Sequence, residues 1–138
     1  MTIHVGEEGG DFGLDEIREV VEELRPDRIG HGILAARDQS LMARLRETGI
    51  VLEICPTSNL LTKAIADEAG VRDTFRTFVD HGVAFTIATD GPEMMRTHLR
   101  DEFELLLRTG ALSEDELAAA NARGHDASFL GGRTRAHA

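Results

Sequence analysis

The sequence predicts an α/β fold built on a parallel sheet, and three observations support this prediction. Short apolar or β-branched runs alternate with segments whose apolar residues recur at helical spacing, as expected when each strand is followed by a helix. Residues 49–51 and 82–84 share one pattern, a helix-ending glycine followed directly by the start of a strand, which is typical of repeated βα units. Residues 50–54 are almost continuously apolar, as in a strand covered on both faces.

The first two predicted strands are short and lie on either side of a helix. Residues 2–5 form a β-branched run that ends at Gly6, and residues 28–31 form the second strand. The apolar residues of the intervening helix recur at i, i+3, i+4 and i+7. They are Ile17, Val20, Val21 and Leu24. Pro26 is expected to end this helix, because proline cannot continue a helical hydrogen-bond ladder.

A second helix leads into the buried strand. Asp38 is a typical N-cap residue for this helix, and Gly49 lies just beyond its predicted end. The residues expected to face the core are Leu41, Met42 and Leu45. The strand at residues 50–54 then ends at residues 55–59, whose sequence Cys-Pro-Thr-Ser-Asn is expected to break it.

The remaining elements are one strand and three helices. A helix is predicted over residues 71–80 with Val71, Phe75, Phe78 and Val79 on one side. The fourth strand covers residues 83–88 and is broken by residues 89–92. Of the two closing helices, the first carries the apolar residues Leu99, Phe103, Leu106 and Leu107. The second begins with the capping-box pattern of residues 113–116, and residues 131–138 have the composition of a disordered tail.

Composition excludes several classes of function. The chain has 138 residues, 15 Lys and Arg against 25 Asp and Glu, and a formal net charge of −10, which is the wrong sign for a nucleic-acid binder. No apolar run is long enough to cross a membrane, and the N-terminus lacks the pattern of a signal peptide. The single cysteine, Cys55, cannot form an internal disulfide, which favours a reducing cytoplasm.

Polar residues follow each of the four predicted strands. His4 and Glu7 follow the first strand, His31 ends the second, residues 55–59 follow the third, and Asp90 follows the fourth. Because the carboxyl ends of parallel strands meet on one face, we expect these side chains to gather there. Imidazole and carboxylate groups together suit a metal site, general acid–base catalysis, or both.

Each of these residues also has a simpler interpretation when it is considered alone. A single strand-end histidine is more often a satisfied polar residue than a ligand, and Asp90 before Gly91 and Pro92 is a natural turn residue. Cys55 fits a small buried apolar position, and the Ser-Asn pair at residues 58–59 fits a helix cap. Four such features at four equivalent positions favour a site. No helical zinc-protease motif, cysteine-bound deaminase motif, nucleophile elbow or phosphate-binding loop occurs in the sequence.

The order of four motifs resembles that of the adenosine deaminase family. They are His-Val-Gly-Glu at residues 4–7, Arg-Ile-Gly-His-Gly at 28–32, Glu-Ile-Cys-Pro-Thr-Ser-Asn at 53–59 and Thr-Asp-Gly-Pro at 89–92. The resemblance extends from Thr2 to about Leu130. It implies a partial (β/α)8 TIM barrel, with about four βα units corresponding to the C-terminal half and an extra C-terminal helix. It also implies a hydrolase that removes the 6-amino group of adenosine or a similar purine with the help of one Zn²⁺.

The resemblance also assigns roles to individual residues. His4 and Asp90 resemble the zinc ligands of the fifth and eighth barrel strands. Glu7 resembles the residue that protonates a ring nitrogen of the purine, and His31 resembles the residue that orients and assists the attacking hydroxide. Gly6 and Gly91 are the expected substrate-binding positions.

Two departures from the family pattern bear on function. The family usually has a second aspartate where this chain has Gly91, which leaves room for a purine other than adenosine. The chain also lacks any His-x-His sequence, the pair that completes the zinc site in the family. Residues 1–130 are therefore expected to be the C-terminal half of a deaminase barrel, inactive alone, that associates with a missing N-terminal half or with itself through open strand edges. The alternatives are a non-catalytic remnant or half-barrel interaction module, and a metal-dependent amidohydrolase acting on another ring.

Overall fold

Four parallel strands form the sheet of the computed structural model, which describes residues 1–131. They are β1 (Thr2–Val5), β2 (Arg28–His31), β3 (Val51–Ile54) and β4 (Phe85–Ile87). Each strand pairs with the next one in the chain, so the sheet order is β1-β2-β3-β4. Sequential parallel strands joined by helical crossovers are the repeating unit of a (β/α)8 barrel, so the predicted partial barrel is confirmed.

Helical segments connect and follow the strands. The α-helices are α1 (Gly10–Glu19), α2 (Gln39–Thr48), α3 (Pro56–Leu61), α4 (Glu68–Asp80), α5 (Pro92–Met95), α6 (Leu99–Arg108) and α7 (Glu114–Asp126). A π-helical segment (Val20–Leu24) follows α1, and 3-10 segments occupy Ile33–Arg37 and Phe129–Gly131. The predicted extra C-terminal helix is present as α7. The predicted tail begins at Gly131, which lies in the last 3-10 segment, and residues 132–138 lie outside the described residues.

Register brings the carboxyl ends of the strands to one edge of the sheet. Val5 pairs with His31 across β1 and β2, and Ile54 pairs with Ile87 across β3 and β4. Leu52 is fully buried on β3 and Phe75 on α4, and the Phe75 ring meets the ring of Phe85 edge-on at 5.3 Å between centroids. No helix among the described residues is long and apolar enough to cross a membrane.

Two segments predicted as strand breaks are short helices. The 55–59 segment runs into α3 and the 89–92 segment runs into α5. Each helix has proline at its first position, where the fixed φ of proline suits a helix and its missing N–H is not needed. The prediction treated these prolines only as breaking signals. Both helices are too short to show an apolar period.

The last apolar residue predicted for the buried face of the first helix is exposed in the structure. Ile17 and Val21 are buried, but Leu24 is 53% exposed. The last turn is π-helical, with the Arg25 N–H donating to the Val20 carbonyl at 3.1 Å, and Arg25 has a φ of +43°. The wider turn rotates Leu24 away from the stripe that a regular period predicts.

The buried face of α6 also differs from the prediction. Leu106 is buried, whereas Leu99 and Leu107 are 39% and 38% exposed. The buried face is formed by Leu105, Leu106 and the carboxylic acid Glu102. A buried face predicted from apolar residues alone could not include an acidic residue. The predicted buried face of α6 is therefore rotated about the helix axis relative to the observed one.

The remaining boundaries agree closely with the prediction. Asp38 is the N-cap of α2, and its carboxylate accepts the Leu41 N–H at 3.0 Å. Helix α4 begins three residues earlier than predicted because Asp67 caps it by accepting the Gly70 N–H at 2.8 Å. The fourth strand is shorter than the predicted 83–88 segment.

Candidate active site

His31 lies at the centre of the polar residues that follow the strands. It ends β2 with a φ of +64° and is only 5% exposed. Its Nε2 lies 3.6 Å from Glu7 Oε2 and 4.0 Å from Asp90 Oδ2. The structure therefore brings together three of the residues that the sequence selected, from the ends of three strands.

His4 lies beside this cluster on β1 and is exposed. Its ring meets the His31 ring edge-on, with 5.7 Å between centroids. The imidazole rests against the backbone of Gly30, where a Cβ would come within 2.7 Å of Cδ2 and 2.8 Å of Nε2. Glycine at position 30 therefore creates the space that the His4 ring occupies.

Asn59 connects the two central residues. Its Nδ2 donates to Glu7 Oε1 at 3.0 Å and contacts His31 Nδ1 at 3.1 Å. With Nδ2 as the donor, His31 Nδ1 is an acceptor, so a neutral imidazole carries its proton on Nε2, facing Glu7 and Asp90. The Thr62 hydroxyl also donates to Glu7 Oε1, at 3.1 Å. These contacts orient one oxygen of Glu7 and leave the other facing His31.

Ser58 forms a similar hydrogen bond with Asp90, the residue that follows β4. Its hydroxyl donates to Asp90 Oδ2 at 2.9 Å, and the Ser58 side chain is 1% exposed. Asp90 has a φ of +61° and a side chain that is 40% exposed. The sequence places residues 58–59 among the polar residues expected to gather at the strand ends, with helix capping as the simpler interpretation, but it indicates no specific contact for either side chain. Their position after a strand end was the available signal.

The two glycines predicted to bind substrate have different surroundings. Gly6 is buried with a φ of +74°, and a Cβ there would overlap the Ile17 side chain. Gly91 has a φ of −97°, and a Cβ there would meet only Met94 atoms, at 3.7 and 3.9 Å. Packing therefore explains the glycine at position 6, whereas no packing contact requires one at position 91.

Cys55, which follows β3, is buried and lies near several carboxylates. Burial raises the pKa of the Cys55 thiol to about 12, and the negative charges of Asp90 and Glu102 act in the same direction. A thiol in this state is protonated at neutral pH, so it is not an activated nucleophile. The prediction of Cys55 as a small buried group agrees with its 5% exposure.

The donor set is suited to a metal but is incomplete within this part of the chain. His4 offers an imidazole and Asp90 a carboxylate, both common zinc ligands. Among residues 1–131, no group of three or more His, Cys, Asp or Glu side chains is placed to hold a metal ion. A catalytic zinc site normally has three protein ligands, and residues 1–131 do not bring three such side chains together.

A cleft of about 390 Å³ opens next to Glu7. Its walls come from the segment after β1, from Leu34 and Arg37 of the 3-10 segment, and from Thr62 and Lys63 after α3. The walls therefore contain cationic groups as well as the carboxylate of Glu7. Glu7 lines this cleft, whereas His4, His31 and Asp90 do not.

Comparison with known proteins supports the resemblance that the four motifs indicate. The sequence profile of the family described as adenosine deaminase matches residues 1–137. An adenine deaminase of Rhizobium rhizogenes is 39% identical over 136 residues, covering 99% of this chain and 41% of the relative. An aminodeoxyfutalosine deaminase of Streptomyces coelicolor is 40% identical over 129 residues, covering 92% of this chain and 32% of the relative.

A solved structure shows the same architecture. The adenine deaminase of Arthrobacter aurescens superimposes with a TM-score of 0.81 and 27% identity, covering 93% of this chain and 38% of that one. The chain thus spans about 40% or less of the length of these relatives. Because the family profile matches almost every residue, this chain belongs to the adenosine deaminase family.

Proposed function

We propose that this chain carries the part of a hydrolytic deaminase site that binds a 6-aminopurine base or nucleoside and directs water to its C6. The observation that supports this most directly is the grouping of Glu7, Asp90 and His31, with 3.6 and 4.0 Å separating the two carboxylates from His31 Nε2. Hydrolytic deamination needs a proton donor for the ring and an oriented water, and this cluster offers both kinds of group.

Glu7 is the proposed proton donor to a purine ring nitrogen. Its Oε1 accepts hydrogen bonds from Asn59 at 3.0 Å and from Thr62 at 3.1 Å, which fixes the position of that oxygen. Addition of water at C6 increases electron density on the ring, and a proton carried by Glu7 would neutralise it. A carboxyl group fixed by two hydrogen bonds needs little reorganisation during this step.

His31 is the proposed orienting group for the attacking water. Its Nδ1 is engaged by Asn59, so Nε2 is the atom available to the water. The ring is buried and its neighbours restrict rotation, which suits a group that must present one nitrogen in one direction. His31 would hold and pass the proton that the leaving ammonia requires.

His4 and Asp90 are the proposed zinc ligands of this chain. When bound, zinc lowers the pKa of a coordinated water so that hydroxide is available near neutral pH. The acidic surroundings of the cluster suit a divalent cation. The further ligands would come from outside the described residues.

Gly91 bears on the choice of substrate. Within the family a second aspartate usually occupies this position, and its carboxylate reaches a purine nitrogen. The relatives compared above are an adenine deaminase and an aminodeoxyfutalosine deaminase, so 6-aminopurines of different size are processed by similar proteins. We therefore propose a 6-aminopurine substrate whose recognition does not use a carboxylate at this position.

The proposal is tested by placing this chain in the matching segment of the Rhizobium rhizogenes relative. Ammonia release is measured with adenine, adenosine and larger 6-aminopurine nucleosides. We expect activity on one of them, and we expect Glu7→Gln to reduce it by at least about 100-fold, because general acid–base groups contribute about that much. Glu104→Gln, an exposed glutamate on α6, is the control. A folded chimera that deaminates none of these compounds would contradict the proposal.

Zinc content provides a readout that does not depend on turnover. After dialysis against a weak chelator, the chimera should retain about one zinc per chain, as is usual for a catalytic site of this type. His4→Ala and Asp90→Asn should lose that zinc, whereas His125→Ala, which changes an exposed histidine on α7, should retain it. Zinc retention in the His4 and Asp90 variants would exclude them as ligands.

The second candidate is a half-barrel interaction module without catalytic function. It is favoured by the absence of a three-ligand metal group among residues 1–131. This alternative predicts that the chimera folds, binds no zinc and shows no change in ammonia release on Glu7→Gln. The chimera experiment therefore separates the two functions.

A further inference from the structure

The carboxyl group of Glu102 is the most deeply buried acid in the described chain. The residue is 0% exposed and lies on the inner face of α6. The donors that reach it, among them the Thr57 N–H and the Thr97 hydroxyl, are neutral. Burial of an acid is costly unless its oxygens are satisfied, and both oxygens of Glu102 accept a hydrogen bond here.

One oxygen of Glu102 holds the start of α3. The N-cap residue Cys55 provides no side-chain hydrogen bond to this helix, and Pro56 has no N–H. The first free N–H is that of Thr57, and it donates to Glu102 Oε2 at 3.0 Å. A residue 45 positions away in sequence therefore performs the capping function that the local sequence does not supply.

The other oxygen holds the segment that follows α5. Glu102 Oε1 accepts the Thr97 hydroxyl at 3.1 Å, and Thr97 is 3% exposed. Thr97 follows Arg96, which ends α5 with a φ of +49°. Glu102 thus connects the polypeptide after β3 with the polypeptide after β4, outside the cluster that surrounds His31.

The helix start that Glu102 caps leads directly into the active-site contacts. Ser58 and Asn59 are the next two residues of α3, at 1% and 0% exposure. Ser58 reaches Asp90, and Asn59 reaches Glu7 and His31. A displacement of α3 would change all three contacts together, because they originate from adjacent residues of one short helix.

We propose that Glu102 is a positioning residue for the deaminase site: its buried carboxyl group fixes α3 against the segment after α5, so that Ser58 and Asn59 keep Asp90, Glu7 and His31 in place. This inference rests on the proposed function for its catalytic meaning. The geometric claim concerns hydrogen-bond acceptance by Glu102 and not its volume. An apolar side chain of similar size should therefore fail, whereas glutamine should succeed, because its amide oxygen can accept the Thr57 N–H and its amide N–H can donate to the Thr97 hydroxyl oxygen.

The experiment compares Glu102→Leu with Glu102→Gln in the 138-residue chain. The readout is the side-chain amide pair of Asn59 in a proton–nitrogen correlation spectrum, assigned by its disappearance in Asn59→Ser. We expect Glu102→Leu to shift this pair and Glu102→Gln to leave it near its original position. Glu104→Gln, which changes an exposed acid on the same helix, should not shift it.

An unshifted Asn59 pair in folded Glu102→Leu would overturn the proposal, as would a Gln variant that shifts the pair as far as the Leu variant does. If Glu102→Leu does not fold, Thr97→Val takes its place, because it removes the donor to Glu102 Oε1 and keeps the carboxyl group. A shifted pair in Thr97→Val supports the proposal, and an unshifted pair overturns it. The spectrum needs no turnover, so absence of deaminase activity would refute the proposed function without changing this result.

Discussion

Replacement of Gly6 by alanine should destabilise the chain far more than an ordinary glycine substitution. Gly6 has a φ of +74°, a conformation that costs an L-residue about 1–2 kcal/mol. An added Cβ would also overlap Ile17 Cδ1 and lie 2.5 Å from Ile17 Cγ1, inside a fully buried region. Overpacking of this kind costs about 1–3 kcal/mol. The expected loss in the free energy of unfolding is therefore about 2–5 kcal/mol, the sum of these two costs.

Gly110 is a matched control for the backbone contribution. Its φ is +72°, and an added Cβ would have no atom within 4 Å. Gly110→Ala should therefore show only the backbone cost of about 1–2 kcal/mol. The assay is urea unfolding monitored by circular dichroism. The free energies of unfolding of the two variants are compared on the condition that their m-values are equal.

A double variant isolates the contact with Ile17. Ile17→Val removes the Cδ1 atom that the new methyl group would overlap. This substitution alone should cost about 0.5–1.5 kcal/mol, but combined with Gly6→Ala it should cost less than the sum of the two single changes. Equal losses for Gly6→Ala and Gly110→Ala, or strict additivity with Ile17→Val, would refute the steric argument.

Three further predictions concern the site and its supports. Gly30→Ala would place a methyl group 2.7 Å from His4 Cδ2, so it should displace the imidazole and abolish zinc retention in the chimera described above, and retained zinc would contradict this. Hydrogen bonds, led by that from the Ser40 hydroxyl, hold the pKa of Asp38 well below its usual value. Asp38→Ala should therefore cost about 0.5–2 kcal/mol at neutral pH. The difference in the free energy of unfolding between this variant and the wild type should reach its full value above pH of about 4. It should decline as pH falls further, because protonation of Asp38 then removes the same contribution from the wild type, and a pH-independent difference would contradict this. The thiol of Cys55, whose pKa is raised to about 12, should react with a disulfide reagent at pH of about 8 only after denaturation, and rapid reaction of the folded chain would contradict its burial.

The order of strands and helices could be predicted because its signals are local. Apolar spacing, helix-ending glycines and the N-cap Asp38 each depend on residues within about one or two turns. The grouping of Glu7, His31 and Asp90 followed from one topological rule, that parallel strands end on the same face. The structure brings these three residues together, although they are separated by more than twenty positions in sequence.

The individual contacts that support the site could not be predicted in the same way. Asn59 contacts Glu7 and His31, which lie 52 and 28 positions away in sequence. Glu102 accepts a hydrogen bond from Thr57, which lies 45 positions away. Neither contact leaves a periodic or motif signal, because a hydrogen bond between distant segments depends on how the helices pack. The buried face of α6 was rotated in the prediction for the same reason, since it includes Glu102.

The sequence by itself determined the α/β class, the order of elements, the family and the residue types available for catalysis, since these depend on local periodicity and on motifs that keep their order. Only the tertiary structure decided which oxygen of Glu7 is held, which nitrogen of His31 faces the carboxylates and why position 30 must be glycine. These properties depend on distances of a few ångströms between segments far apart in the chain. Such distances are fixed by packing and hydrogen bonding, which act only once the strands have come together.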